Sequence, residues 1–204
     1  MPAFDSILFD FDGVLLDSEP VHFACWAEVL APLGVILTWD YYCERCIGVD
    51  DREMLRVMAL QADPPRDWQL LWEQYPAKRE LFRRRMEKAP PFDRALGPLL
   101  ADLAGRFGLA VVSSSACGEI EPLLVAGGLR GHFRTVVGGD SVRRHKPDPE
   151  PYLLAADRLR SKRPLVLEDS AAGIASGRAA GFEVLPITHP AEMPELLLNR
   201  LNQA

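Results

Sequence analysis

The stretch Phe9-Asp10-Phe11-Asp12-Gly13-Val14-Leu15 decides the reading of this chain. Asp10 and Asp12 stand two residues apart at the end of the apolar run Ile7-Leu8-Phe9, and a glycine follows at once. Side chains alternate along a strand, so both carboxylates start on the same side of it. Like charges that close repel each other, and a metal ion or a shared proton relieves them. A strand that ends in paired acids therefore calls for a cation or a catalytic task. The structural alternative is a strand cap followed by a turn, because Asp and Gly both form turns.

Similar apolar runs recur at residues 109–112, 135–137, 165–167 and 184–187, each flanked by helical patterns. Before the second run, Leu96, Leu99, Leu100, Leu103 and Phe107 follow the spacing of a helix face. After the fourth, the small-residue segment 171–180 closes on Gly181, a fitting residue just past a helix end. Continuous apolar strands alternating with helices predict an α/β fold, a Rossmann-like parallel sheet covered on both faces. The gap between the first two strands breaks that rhythm, since about ninety residues far exceed one crossover helix. Its pattern predicts helices at 20–33, 39–47, 51–60 and 68–87. The economical division is a core of residues 1–14 and 90–204 with an inserted α-helical domain at 15–89.

A chain of 204 residues suits such a core with an insert. Hydrophobic residues at 48% and charged residues at 25% are ordinary for a soluble globular protein. The net charge of -6 argues against nucleic-acid or membrane-surface partners. The start Met1-Pro2-Ala3-Phe4-Asp5 has no signal-peptide pattern, and no apolar stretch approaches the roughly 18 residues of a membrane span. A cytoplasmic location is the expectation. Cys43 and Cys46 have the spacing of a metal or redox pair, but no second ligand pair is suitably placed, and the pair does not open a helix after a strand. With Cys25 and Cys117 they read as reduced thiols. Nothing in the sequence speaks to oligomeric state.

In open α/β sheets, ligands gather at the carboxyl ends of the strands. Those ends carry Asp10 and Asp12, then Ser113 with Ser114 and Ser115, then Lys146 in His145-Lys146-Pro147-Asp148-Pro149, and finally Glu168-Asp169-Ser170. Singly, each has a structural explanation: serines cap helices, lysines sit in solvated loops, and acids favour helix starts. Together they set four acids, a hydroxyl and an amine at one sheet edge. Carboxylates with water and a substrate phosphate suit Mg²⁺, while a hydroxyl and an ammonium suit phosphate oxygens. With that charge neutralised, one carboxylate can attack phosphorus and the other can manage the proton. The set specifies phosphoryl transfer, and the expected substrate is a small phosphorylated metabolite, a sugar phosphate or a similar monoester.

Asp10-Phe-Asp12-Gly-Val, Val111-Val-Ser113, Lys146-Pro-Asp-Pro and Leu167-Glu-Asp169-Ser appear in the order of the four signatures of the haloacid dehalogenase-like hydrolase superfamily, and the chain resembles its β-phosphoglucomutase-like branch. The resemblance implies that Asp10 is the nucleophile and Asp12 the acid/base. It implies that Ser113, Ser114 and Lys146 bind the transferring phosphoryl group. Asp10, the backbone carbonyl of Asp12, and Asp169 would ligate Mg²⁺, with Glu168 close by and acting through water. The insert matches the helical cap of this branch. Dehalogenases lack an acid at the position of Asp12, because halide leaves without a proton, so the resemblance implies a phosphatase.

His22 falls where β-phosphoglucomutases carry a cap histidine that contacts sugar, and it equally suits a packing role. Arg52 resembles their phosphate-binding cap arginine, displaced by one inserted residue. Those mutases carry Lys-Asn where this chain has Ala116 and Cys117. Without these donors a second phosphate is poorly held, which ranks phosphosugar mutase behind phosphatase.

Overall fold

Five short apolar runs become five parallel strands: β1 (Ser6–Phe9), β2 (Gly108–Val112), β3 (Thr135–Val137), β4 (Pro164–Glu168) and β5 (Glu183–Pro186). The computed structural model describes residues 3–47, 49, 51–62 and 64–203. The strand order is β3-β2-β1-β4-β5, so the strand bearing the acid pair lies at the centre. Chain order runs outward on one side of β1 and then switches to the other, which opens a crevice at the carboxyl ends. β1, β2 and β4 are buried along their whole length, as expected where helices cover both faces. β5 lies one residue earlier than its apolar run suggests. It is a partly exposed edge strand, where burial no longer selects an unbroken apolar run.

The chain divides into two compact units, residues 1–17 with 89–204, and residues 18–88. The second unit is helical: α1 (Glu19–Leu30), α2 (Trp39–Arg45), α3 (Asp51–Gln61), α4 (Trp68–Trp72) and α5 (Tyr75–Lys88). α1 is shorter than the expected 20–33, because Pro32 has no N–H to continue the ladder. The chain finishes instead in a 3₁₀ turn, Ala31–Leu33, closed by Gly34 at φ 71°. Proline also explains why 68–87 divides into α4 and α5: Pro76 is tolerated only in the first turn of a helix, and α5 restarts there. Trp26, Leu30, Leu55 and Leu71 form the buried centre of this unit.

In the first unit α6 (Leu96–Ala104), α7 (Cys117–Ala126), α8 (Glu150–Leu159), α9 (Ala171–Ala179) and α10 (Met193–Asn202) accompany the strands. Leu8, Ala110, Val112, Val137 and Val166 pack with Tyr152 and Ala155 of α8 in one buried cluster. α9 ends as anticipated, with Gly181 at φ 79° and the N–H of Phe182 bonded to the Gly177 carbonyl. No described helix is long and apolar enough to cross a membrane. All four cysteines are free thiols; Cys43 is exposed and Cys46 buried.

Candidate active site

Strand register assembles the site. Phe9 of β1 lies beside Val111 of β2 and Leu167 of β4. The next residue on each strand is then Asp10, Val112 and Glu168, abreast at the carboxyl edge. The Asp10 N–H bonds to the Leu167 carbonyl at 2.9 Å, which fixes where the carboxylate emerges. A tight turn follows, with the N–H groups of Leu15 and Leu16 both bonded to the Phe11 carbonyl. This turn holds Asp12, which is half-buried. Gly13 sits at φ 75°, and a Cβ there would overlap the Asp169 carboxylate, so only glycine lets the β4 loop close against this turn.

Lys146 reaches the centre of this edge. Its Nζ donates to Asp10 Oδ1 at 2.7 Å, to the Val112 carbonyl at 3.1 Å and to Glu168 Oε1. The Lys146 side chain is 5% exposed and that of Glu168 is 0% exposed. Burial alone would lower the ammonium's pKa, but Asp10 and Glu168 raise it, so Lys146 is charged. Glu168 Oε1 also accepts from the Tyr152 hydroxyl at 2.7 Å, and Oε2 accepts from the Ser170 N–H and hydroxyl at 3.1 and 3.0 Å. Four donors match the acceptor capacity of a carboxylate. Glu168 is thus engaged as an anchor for Lys146. Ser170 in turn caps α9, accepting from the Gly173 N–H at 3.0 Å.

Asp10, Glu168 and Asp169 each offer an oxygen within 4.8 Å of the others. Burial pushes the Asp10 pKa up to about 8, with Lys146 opposing and Glu168 adding to the rise. Burial and Glu168 likewise raise that of Asp169. Three acids face one ammonium at this edge, Asp10 and Glu168 buried and Asp169 exposed, an excess of acidic groups over cations. A hard cation with oxygen ligands fits that excess, and Asp10 and Asp169 are the members whose oxygens the protein does not already fill with four donors.

On the neighbouring strand Ser113 is buried, with its N–H bonded to the Val137 carbonyl at 2.9 Å. Its Oγ accepts from the Ser115 N–H at 3.1 Å, leaving the hydroxyl hydrogen to donate. Ser114 behind it is exposed. Lys146 bonds the carbonyl of Val112, the residue just before Ser113.

His22 and Arg52 belong to the other unit. The His22 ring stacks on Phe82 at 4.0 Å, and its Nδ1 lies 2.9 Å from Lys78 Nζ. Lys78, buried, also pairs with Asp51 at 3.3 Å, and Asp51 accepts the Trp26 indole N–H at 3.0 Å. Arg52 lays its guanidinium over the Trp72 ring at 4.7 Å. Sequence reading missed Lys78, although Lys78, Phe82 and Met86 recur at the i, i+4, i+8 spacing of a buried stripe. It also missed Tyr152, and it named Ser170 at the strand end without its bonds to Glu168.

The His22 pKa falls to about 4, because burial and the Lys78 ammonium both disfavour imidazolium. An unfolded chain would take up this proton near 6.5, before the folded one does. His22 therefore contributes stability at neutral pH that is lost as pH falls from about 6.5 towards 4. Denaturant titrations at pH 7 and pH 4 should show a loss on the order of 2 kcal/mol larger for the native chain than for His22→Gln, a figure reduced for the partial exposure of the ring.

Sheet topology and strand-end chemistry define a class, the Rossmann-like α/β hydrolases that work at the carboxyl edge of a parallel sheet. A family model described as haloacid dehalogenase-like hydrolase matches residues 7–187, and the chain belongs to that family. It is 32% identical over 188 residues to the fructose-1-phosphate phosphatase YqaB of Escherichia coli, covering 89% of this chain and 95% of that protein. It is 31% identical to a phosphorylated carbohydrates phosphatase of Thermotoga maritima, covering 88% and 82%. Among solved structures it resembles a Thermotoga maritima protein provisionally designated a beta-phosphoglucomutase. That match has a TM-score of 0.75 at 26% identity, over 96% of this chain and 99% of the other.

Proposed function

We infer that the chain is a phosphatase for small phosphorylated metabolites, sugar phosphates foremost, working through an aspartyl-phosphate on Asp10. The observation that carries this reading is the seat of Lys146, shared between Asp10 and Glu168 beside the β2 end that bears Ser113. Asp10 attacks phosphorus and the ester P–O bond breaks. Asp12 gives its proton to the leaving oxygen, then takes one from the water that attacks the phosphoryl group on Asp10. Lys146 and the Ser113 hydroxyl hold the phosphoryl oxygens, with Ser114 at the rim, and Glu168 keeps Lys146 in place. Asp10, the Asp12 carbonyl and Asp169 would hold Mg²⁺, which when bound neutralises charge on the substrate phosphate.

Segment 15–89 acts as the cap that selects the metabolite, His22 and Arg52 being its contributions to that choice, and the enzyme works in the cytoplasm. Sugar phosphate is the substrate class of both named phosphatase relatives. The second reading, a phosphosugar mutase, has the Thermotoga maritima structure in its favour. Ala116 and Cys117 weigh against it, since neither side chain can hold a second phosphate.

The test is phosphate release with Mg²⁺ from an aryl phosphate and from fructose 1-phosphate, run beside a coupled assay for conversion of β-glucose 1-phosphate to glucose 6-phosphate. Hydrolysis that stops on chelation of Mg²⁺ is the expected result. No release from either ester would remove the reading, and isomerisation outpacing release would replace it with the mutase.

A further inference from the structure

The segment that carries Ser113 has one local tie, the Ser115 N–H to Ser113 Oγ at 3.1 Å, and no side-chain cap where it enters the next helix. It runs from β2 into α7, and Ala116 at the N-cap of α7 has no side chain to close the helix. The loop after β3 supplies the anchor instead. The Gly139 N–H bonds to the Ser115 carbonyl at 2.8 Å, and the Gly138 N–H points at Cys117 Sγ at 3.2 Å. Cys117 Sγ lies 3.4 Å from Ser141 Oγ. Asp140 Oδ1 accepts the Cys117 N–H, the first of α7, at 2.9 Å. The approach is so close that a Cβ on Gly138 would come within 2.5 Å of the Cys117 nitrogen and 2.8 Å of the Ser115 carbonyl oxygen. Together with the Ser113 N–H bond to Val137, these contacts zip two loops into one unit. Asp140 gives that unit its one carboxylate bond, and the Cys117 N–H holds this carboxyl below the usual range.

We propose that Asp140 is the positioning residue for the phosphoryl-binding loop, setting the Ser113 hydroxyl by tying the start of α7 to the end of β3. This rests on the reading of Ser113 as a phosphoryl-binding residue. Asp140 is an exposed side chain at the far end of the loop and acts through Cys117 rather than on the substrate. Its effect is geometric. Misplacement of a substrate-holding group by about 1 Å costs on the order of a hundredfold in rate, so a loop drift of about half an ångström costs about tenfold. A defect at the phosphoryl group, common to every monoester, falls equally on all of them.

The experiment compares Asp140→Ala, Asp140→Asn and the double variant Asp140→Ala with Ala116→Ser, each confirmed folded by circular dichroism. Asp140→Ala should lose about tenfold in kcat/KM on an aryl phosphate and a sugar phosphate alike, and inorganic phosphate should inhibit it about tenfold less well. Asp140→Asn should stay within about twofold of the native enzyme, because its amide oxygen accepts the same N–H. The double variant caps α7 locally and should recover the thermal midpoint without recovering kcat/KM, since the Asp140 bond across the two loops stays cut and only the Gly138, Gly139 and Ser141 contacts remain. It also serves as the test protein should Asp140→Ala alone not fold. Full activity in Asp140→Ala, or activity returning in the double variant together with the midpoint, would reduce Asp140 to a helix cap and overturn the proposal. Amide hydrogen exchange across Ser114 to Cys117 reads the tether without any substrate: faster exchange in Asp140→Ala supports it, and unchanged exchange overturns it. The phosphatase reading fails separately, by absence of phosphate release from the native enzyme.

Discussion

An Asp10→Asn variant is expected to release phosphate from any monoester at roughly one ten-thousandth of the native rate or less, while remaining folded. The amide has the shape of the carboxylate but is a poor nucleophile. Its oxygen still accepts from Lys146, whose Nζ sits 2.7 Å from Asp10 Oδ1 and keeps its bonds to Glu168 and the Val112 carbonyl. The substitution removes a carboxyl whose ionised form burial already disfavours. The thermal midpoint should therefore stay within about 5 °C of the native value or rise. Phosphate release and a thermal melt check both halves. A variant that keeps more than about a tenth of the native rate would mean that water, not Asp10, attacks phosphorus.

Lys146→Met is expected to damage both stability and turnover. The ammonium is the positive charge for three carboxylates at this sheet edge, two of them, Asp10 and Glu168, directly bonded to it. Removing one partner of a buried ion pair costs about 3–5 kcal/mol, because the remaining charge is stranded. Glu168 retains Tyr152 and Ser170 as donors, which places the loss towards the lower end. Turnover should fall by about a hundredfold to a thousandfold through loss of the cation facing the phosphoryl oxygens. Urea unfolding and steady-state kinetics measure the two separately. Unchanged stability would show that Glu168 and Asp10 do not depend on Lys146 for their charge balance.

The sheet was legible because its central strands are buried on both faces, and burial writes a run such as Leu109-Ala110-Val111-Val112 directly into the sequence. β5 lost that signal at the edge. The single expected helix at 68–87 failed at Pro76, a breaker that the apolar periodicity passes over. At the strand ends, Asp10, Ser113, Lys146, Glu168 and Asp169 were readable because parallel strands bring their carboxyl ends to one edge whatever the loops do. Their partners were not. Tyr152 touches Glu168 from mid-helix, where it reads as core, and Lys78 meets His22 across 56 residues of sequence. Asp140 reaches Cys117 across 23 residues, and its helix-capping role leaves no local pattern, since the helix that it caps is not its own. Contacts of this kind exist only once the fold brings distant segments together.

The most direct single measurement is acid quenching of the enzyme during turnover of a phosphomonoester with Mg²⁺, followed by peptide mass mapping. The mechanism predicts a phosphoryl mass increment on the peptide that contains Asp10, acid-stable, lost on treatment with hydroxylamine and absent from Asp10→Asn. An increment on any other residue would contradict it. So would the absence of an increment on Asp10 in Asp12→Ala, where dephosphorylation is slowed, while the native enzyme turns over.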